Sequence, residues 1–403
     1  MAGQTGVREY LIVTLAYWAF TLTDGAIRML VVLYFHELGY DALAIASLFL
    51  FYEFFGVLTN LFGGWLGARL GINSAMYLGM VIQIAALLML TVDTTWLTIP
   101  YVMLAQALSG IAKDLNKMGA KSSLKLLLPE GANTRLFKWV ALLTGSKNTL
   151  KGAGFFLGGL LLALVGFRDA LYILAGGLAI ALITTVITLP GGLGRTHTKT
   201  TFTQIFSKSA EINWLSAARL FLFGARDVWF VVGLPVFLSA QLLWSHTQVG
   251  SFFALWVIGY GIVQAFAPRL VRHSHADAGP DGATASLWAF ALLLTVAGLS
   301  LYLWQFETVE TGLIIGLGLF AVVFAVNSSV HSYLILAYAR REQVSLDVGF
   351  YYMSNAMGRL LGTVLSGWGY QTGGLLGCLL LSFLFIALSG LFSLKLPRMR
   401  ALR

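Results

Sequence analysis

Lys113, Lys117, Lys121 and Lys125 recur every four residues within Gly110–Lys125, a stretch flanked on both sides by sequence apolar enough for lipid. On a helix of 3.6 residues per turn, each step of four rises about 6 Å and drifts about 40°. The four ammonium groups therefore form a slowly winding stripe, with Asp114 and Asn116 beside it. A charge at mid-membrane depth costs about 3 kcal/mol on insertion scales unless it faces water or a partner. A solvated helix end accounts for Lys125 and in part for Lys121, but not for Lys113. The stripe predicts a basic cavity.

Once loop and helix-end residues are set aside, nine basic residues fall inside apolar spans: Arg28, Lys113, Lys117, Lys121, Lys147, Lys151, Arg219, Arg226 and Arg359. They face four acids, Asp24, Glu53, Asp114 and Asp227, an excess of five positive charges. Left buried and unpaired, each would cost several kcal/mol; water, deprotonated lysine or a polyanionic substrate relieves this. Guanidinium forks suit tetrahedral oxyanions, and lysine serves as a point charge. Arg28, Lys113, Lys151, Arg226 and Arg359 lie near the middle of their spans, with Lys117, Lys121, Lys147 and Arg219 on the cytoplasmic side. This order predicts a basic funnel, with a phosphate-like group held between Arg28 and Arg226; the competing reading is that these arginines brace two halves together.

Helical spacing gives the expected pairings. Asp24 and Arg28 are four apart and share a face. Asp114 reaches Lys117 at i+3, while Lys113 points elsewhere. Arg226 and Asp227 diverge by about 100° and are poor mutual partners. Glu53 has no charge three or four residues away, so it is either neutral and hydrogen-bonded or a proton carrier. Tyr352 and Asn355, ahead of Arg359, are candidates to line the site. In Asn327–Ser332, His331 reads as a hydrogen-bonded packing residue rather than a proton relay. His273 and His275 read as a solvated loop rather than a metal site.

The elements that position these groups follow from hydropathy. Charged residues are 11% of the 403-residue chain and apolar ones 58%, against about 25% charged in soluble domains, which implies an integral membrane protein. Twelve spans are expected, at approximately 10–35, 42–67, 74–92, 97–124, 138–165, 170–190, 212–239, 247–268, 285–306, 311–338, 347–369 and 373–395. The embedded charges fall on the first, second, fourth, fifth, seventh and eleventh spans. The stretch 191–211, rich in Gly, Thr, Lys and Ser, separates a half at 1–190 from a half at 212–403. At one set of span ends sit sixteen Lys and Arg, from Arg8 to Arg403; the other set has Arg168 alone, with Glu37, Asp41, Asp93, Asp169, Glu307 and Glu310. The positive-inside rule then makes both termini and the central loop cytoplasmic. Met1–Glu9 is polar and no cleavable signal precedes the first span. The single cysteine, Cys378, excludes disulfides within the chain.

The halves resemble each other: Phe55-Gly56 falls near Ile258-Gly259, and Lys151, Gly154 and Gly159 near Arg359, Gly362 and Gly367. An all-α membrane protein of two parallel six-helix halves resembles the major facilitator transporters. Gly64–Gly71 is similar to that superfamily's loop signature and keeps Arg69, but has Ala68 where an acid is usual and Ile72-Asn73 where basic residues are usual. Gly154-x-x-x-Gly158 reads as close helix packing, since the superfamily's antiporter pattern places a proline there.

More narrowly, Thr23–His36, Phe49–Gly56, Leu108–Met118, Phe137–Val140 with Thr144–Asn148, and Phe223–Trp229 resemble the organoarsenical efflux permeases of the superfamily; the match weakens after about Pro268. The resemblance implies export of 1-arseno-3-phosphoglycerate and arsenate resistance. It also implies a functional link to a glyceraldehyde-3-phosphate dehydrogenase that makes the compound from arsenate, and residence in a bacterial inner membrane. A monomer without cofactor, metal or nucleic-acid partner is expected, and no enzymatic activity. An organophosphate or other organic-anion transporter is the alternative. A membrane-embedded enzyme lacks a His/Asp/Ser constellation at one membrane face; a passive anion channel is also compatible with a basic pore.

Overall fold

A computed structural model describes residues 2–40, 45, 48–128, 132–189, 209–244, 246–271, 279–306 and 309–398. The stretch 191–208, Asp41, Glu307, His273 and His275 lie outside the described residues, as does the side chain of Arg69. The described chain is helical: α1 (Ala2–Glu37), α2 (Leu50–Leu70), α3 (Ile72–Met89), α4 (Ile99–Leu127), α5 (Asn133–Thr188), α6 (Ala210–Phe230), α7 (Gly233–Ala240), α8 (His246–Leu270), α9 (Gly282–Gln305), α10 (Glu310–Tyr338) and α11 (Val344–Ser393).

These elements amount to twelve passes, because glycines divide the two longest. Gly166 inside α5 has φ 80 and ψ 176, a region open to glycine and strained for other residues. It falls between the passes expected at 138–165 and 170–190. In α11 the break is at Gly373 and Gly374, the latter at φ 59 and ψ −154, where the eleventh and twelfth spans were expected to meet. The seventh pass runs through α6 and α7 with an interruption at Val231–Val232. Ser366 of α11 closes that interruption: its Oγ accepts from the N–H of Val232 at 3.2 Å and of Gly233 at 3.1 Å. A broken helix is tolerated at membrane depth when a neighbour satisfies its freed backbone groups in this way.

Helix starts follow local chemistry. Pro100 opens α4, where its missing N–H is no loss. Asp281 caps α9 in a reciprocal box with Thr284. Seven stretches are long and apolar enough to cross a membrane, and Leu50–Gly63 and Asn73–Met89 are shorter apolar helices. The chain is an integral membrane protein. α4 is not among those seven, because its own polar and charged residues depress its hydropathy.

Two compact units emerge. Unit 1 comprises Met1–Glu130, Ser146–Phe206 and Ala339–Met353; unit 2 comprises Gly131–Gly145, Ser207–Tyr338 and Ser354–Arg403. Unit 1 packs Ile27, Leu30 and Phe35 of α1 against Leu87 of α3, Val102 of α4, and Leu171 and Leu174 of α5. Unit 2 packs Trp229 with Leu292, Phe320, Phe324 and Leu379. In lipid, where apolar side chains gain little by leaving the solvent, close backbone approach drives association. A Cβ on Gly154 would stand 2.6 Å from the Leu22 carbonyl, and one on Gly158 would stand 2.5 Å from that of Ala26. Both glycines thus pack closely, as expected, against α1. In unit 2, Gly358 and Gly362 do the same against Leu220 and Gly224 of α6.

Candidate functional site

Unit 1 gathers six of the embedded cations and three of the acids. On α1, Asp24 is buried and accepts the Tyr52 hydroxyl at 2.6 Å. Its other oxygen lies 3.5 Å from Lys151 Nζ on α5. Arg28 Nη2 meets Glu53 Oε1 at 3.2 Å. Glu53 is thus ion-paired across α1 and α2 rather than only hydrogen-bonded, with a partner that spacing along one helix does not reveal. The Tyr52 ring holds two cations, the Arg28 guanidinium at 3.9 Å and Lys113 Nζ at 3.9 Å from its centroid. Desolvated contacts of this kind are each worth up to about 2 kcal/mol.

On α4, Asp114 takes the Lys117 ammonium at 2.5 Å, the expected i+3 pair. Lys113 does not point elsewhere: its ammonium lies 3.7 Å from Asp114 Oδ2, because a long flexible stem curls back over an adjacent residue. Gly56 makes room for this carboxylate, since a Cβ there would stand 2.8 Å from Asp114 Oδ2. Lys121 donates to the Tyr352 hydroxyl at 2.5 Å, and the Tyr352 ring also faces Lys117 at 4.3 Å. Asn116 is turned to α3, where its amide donates to the Met76 carbonyl at 3.5 Å; the lysines occupy another face. Lys147 sits one turn before Lys151 on α5, half-buried.

Unit 2 holds three arginines and one acid. Asp227, 1% exposed, accepts Arg226 Nε at 2.6 Å on one oxygen and Arg359 Nε at 3.0 Å on the other. The adjacent Arg226 and Asp227 are therefore partners after all. Their Cα–Cβ directions diverge, but the guanidinium reaches round to a carboxylate that has no access to water. Arg219 donates through Nε to Asn355 Oδ1 at 2.8 Å and through Nη1 to the Ser328 carbonyl at 3.2 Å. Its guanidinium lies 3.8 Å from the Phe223 ring centroid, and Arg226 faces the same ring at 5.1 Å. His331 is fully buried, as a packing residue should be, but neither ring nitrogen meets a hydrogen-bond partner among the described residues.

The two units repeat one device. In each, a carboxylate of the first pass faces a cation of the fifth pass of its half: Asp24 with Lys151, and Asp227 with Arg359. The repeat expected from Lys151 and Arg359 is present as a matched ion pair. Tyr52 and Ser366 had not stood out in sequence, and Gly56 had done so only as part of the internal repeat. Only the adjacency of Tyr52 to Glu53 on an apolar helix could have drawn notice. In all, the embedded charges of unit 1 are six cations against three acids and those of unit 2 three against one. After every acid is matched, excesses of three and two remain. Among the described residues no group of His, Cys, Asp and Glu could hold a metal ion.

No family model matches the chain, and no curated protein matches its sequence. Solved structures do match. The human organic anion transporter MFSD10 (TETRAN) is 18% identical, covering 96% of this chain and 99% of that one, with a TM-score of 0.75. A bacterial homologue of the iron transporter ferroportin, in an outward-facing state, is 15% identical over 96% and 98%, with a TM-score of 0.73. A proton:xylose symporter of the major facilitator superfamily is 12% identical over 98% and 96%, with a TM-score of 0.72. At such identities the likeness establishes the fold, and the chain has the twelve-helix major facilitator fold.

Proposed function

We propose that the chain is a secondary transporter that exports a small organic polyanion, a phosphate or arsenate ester. The observation that supports it is the surplus of cations, three in unit 1 and two in unit 2, left after each embedded acid is matched. A protein that needed charge only to brace its helices would balance it, since each unmatched buried charge costs several kcal/mol. A multiply charged anion offsets that cost. Arg28 and Arg226 are ion-paired to Glu53 and Asp227, and a guanidinium, with five N–H groups, is able to hold a carboxylate and an oxyanion together. The similarity of the charged runs to organoarsenical permeases points to 1-arseno-3-phosphoglycerate, supplied by a glyceraldehyde-3-phosphate dehydrogenase, and so to arsenate resistance. The sixteen-to-one distribution of loop cations supports cytoplasmic termini, and the similarity to organoarsenical permeases points to a bacterial inner membrane. A general organophosphate or organic-anion transporter is the second reading, favoured by the fold shared with a protein described as an organic anion transporter.

Uptake of radiolabelled 3-phosphoglycerate into everted vesicles tests the class, and arsenate added with the dehydrogenase tests the arsenical. Transport should be saturable, and Arg28→Ala and Arg226→Ala should each abolish it while leaving a folded protein. Wild-type uptake in both variants would remove these arginines from the site. Flux indifferent to every gradient would indicate a channel.

A further inference from the structure

Two tyrosine rings divide the cations along α4 into two pairs. Arg28 and Lys113 each lie 3.9 Å from the Tyr52 centroid, while Lys117 and Lys121 lie 4.3 Å and 5.1 Å from that of Tyr352. Tyr352 belongs to the stretch of α11 that forms part of unit 1. It is buried, and Tyr351 meets its ring edge-on with centroids 5.0 Å apart. Its hydroxyl takes the Lys121 ammonium at 2.5 Å. Counter-charge is spread unevenly over these groups. Arg28 faces Glu53 and Lys151 faces Asp24, so Asp114 falls to Lys113 and Lys117, with Lys121 one turn further along the same helix. A desolvated ring face offers a cation up to about 2 kcal/mol, less than the several kcal/mol that a buried charge costs. The Tyr352 ring therefore places the two ammonium groups without neutralising them. Lys113 and Lys117 keep 14% and 10% of their side-chain surface exposed, so solvent reaches both.

We infer that Lys117 and Lys121, held against Tyr352, form a second anion position distinct from the one at Arg28, and that the substrate is a short molecule with an anionic group at each end. The inference rests on the anion-transport reading and narrows its substrate class. The phosphate goes to Arg28, whose guanidinium fork matches a tetrahedral oxyanion, and the second group, such as a carboxylate, goes to the lysine pair, which acts as point charges. The spacing agrees. Successive lysines of the stripe are about 6 Å apart along the helix axis. In a three-carbon acid phosphate the carboxyl carbon and the phosphorus are four bonds apart, about 5 Å when extended at about 1.5 Å per bond. Tyr352 is a positioning residue here: it aims two ammonium groups at one place and acts on the substrate through them.

Binding isotherms of the purified full-length protein in detergent, with 3-phosphoglycerate and glycerol 3-phosphate as probes, test this. The two ligands share the phosphate and differ in a carboxylate that only the first carries. Wild type should bind 3-phosphoglycerate at least tenfold more tightly, the effect of one charge-assisted hydrogen bond. Lys121→Gln removes the charge, and Tyr352→Leu removes both the ring and the hydroxyl. Each should cut the preference to less than about threefold while leaving glycerol 3-phosphate affinity within about threefold of wild type. Tyr352→Phe, which keeps the ring and drops only the acceptor of Lys121, should fall between. Arg28→Gln should weaken both ligands alike and keep their ratio. A merely structural role for Tyr352 would lower the melting temperature and leave the ratio of the two ligands unmoved. An unmoved ratio in Lys121→Gln and in either folded Tyr352 variant overturns the inference. Equal binding of the two ligands by wild type also overturns it while sparing the transport reading. Absence of binding of either ligand by wild type overturns both.

Discussion

Replacing Asp227 by asparagine should separate stability from affinity, with opposite signs. The carboxylate is 1% exposed and is shared by Arg226 and Arg359. Asparagine keeps the shape and one acceptor oxygen but leaves unit 2 with three embedded cations and no acid. Breaking a buried pair by removing one partner costs about 3–5 kcal/mol, because the other charge is left behind. Arg359 is one-third exposed and water takes part of its charge, so about 3 kcal/mol is expected. At about 2–4 °C per kcal/mol for a domain of this size, melting in detergent should fall by about 6–12 °C. The two released guanidiniums should bind 3-phosphoglycerate more tightly than wild type. A ligand at a hundredfold over its dissociation constant contributes about 2.7 kcal/mol, so saturating anion should return the variant close to the melting temperature of unliganded wild type. Thermal melts with and without anion, together with a binding isotherm, are sufficient. Unchanged melting with weaker binding would refute the reasoning and make Asp227 an organiser of the site rather than its counter-charge.

Tyr52→Phe loses the 2.6 Å hydrogen bond to Asp24 but keeps the ring beneath Arg28 and Lys113. It should lose about 1.5–3 kcal/mol of stability with anion affinity nearly unchanged, whereas Tyr52→Leu should lose both; melts and isotherms distinguish them. Gly56→Ala places a Cβ 2.8 Å from Asp114 Oδ2 and should cost about 1–3 kcal/mol by overpacking, read as a lower melting temperature. Ser366→Ala strips the acceptor from two backbone N–H groups in the break of the seventh pass. The expected loss is about 1–3 kcal/mol for each group left unsatisfied, with faster hydrogen exchange at Val232 and Gly233 as the local signature.

Much of the architecture was legible because the bilayer imposes a single length on every pass. Except at the starts of the first two spans, where the helices begin at Ala2 and Leu50, the span ends fall within a few residues of the helix ends, and the glycines at 166 and 374 lie where hydropathy divides two long helices. The set of embedded charges was legible for the same reason: lipid makes each one conspicuous. Apart from the i+3 pair of Asp114 and Lys117, their pairing was not. Tyr52 is 28 residues from Asp24, and Arg359 is 132 from Asp227, so these contacts are set by helix packing and leave no periodic trace. Where pairing was judged along one helix, backbone direction misled. Lys113 and Arg226 each fold back on a neighbour that lies one position away, because four or more rotatable bonds outreach a 100° divergence. Tyr52 was passed over since an aromatic on an apolar helix has no pattern that separates packing from holding two cations.

The matched ion pairs of the two halves are chemically unequal. Asp24 faces a lysine and Asp227 faces an arginine, and the imbalance extends through each unit: five of the six embedded cations of unit 1 are lysines, and all three of unit 2 are arginines. An amine can surrender its proton, while a guanidinium in a protein does not. A doubled architecture therefore carries an adjustable charge in one copy and a fixed one in the other. The lysines of the first copy are able to lose a proton to a basic medium, and the arginines of the second are not. Exchanging Lys151 for arginine and Arg359 for lysine would move that adjustability from one half to the other without altering the net charge.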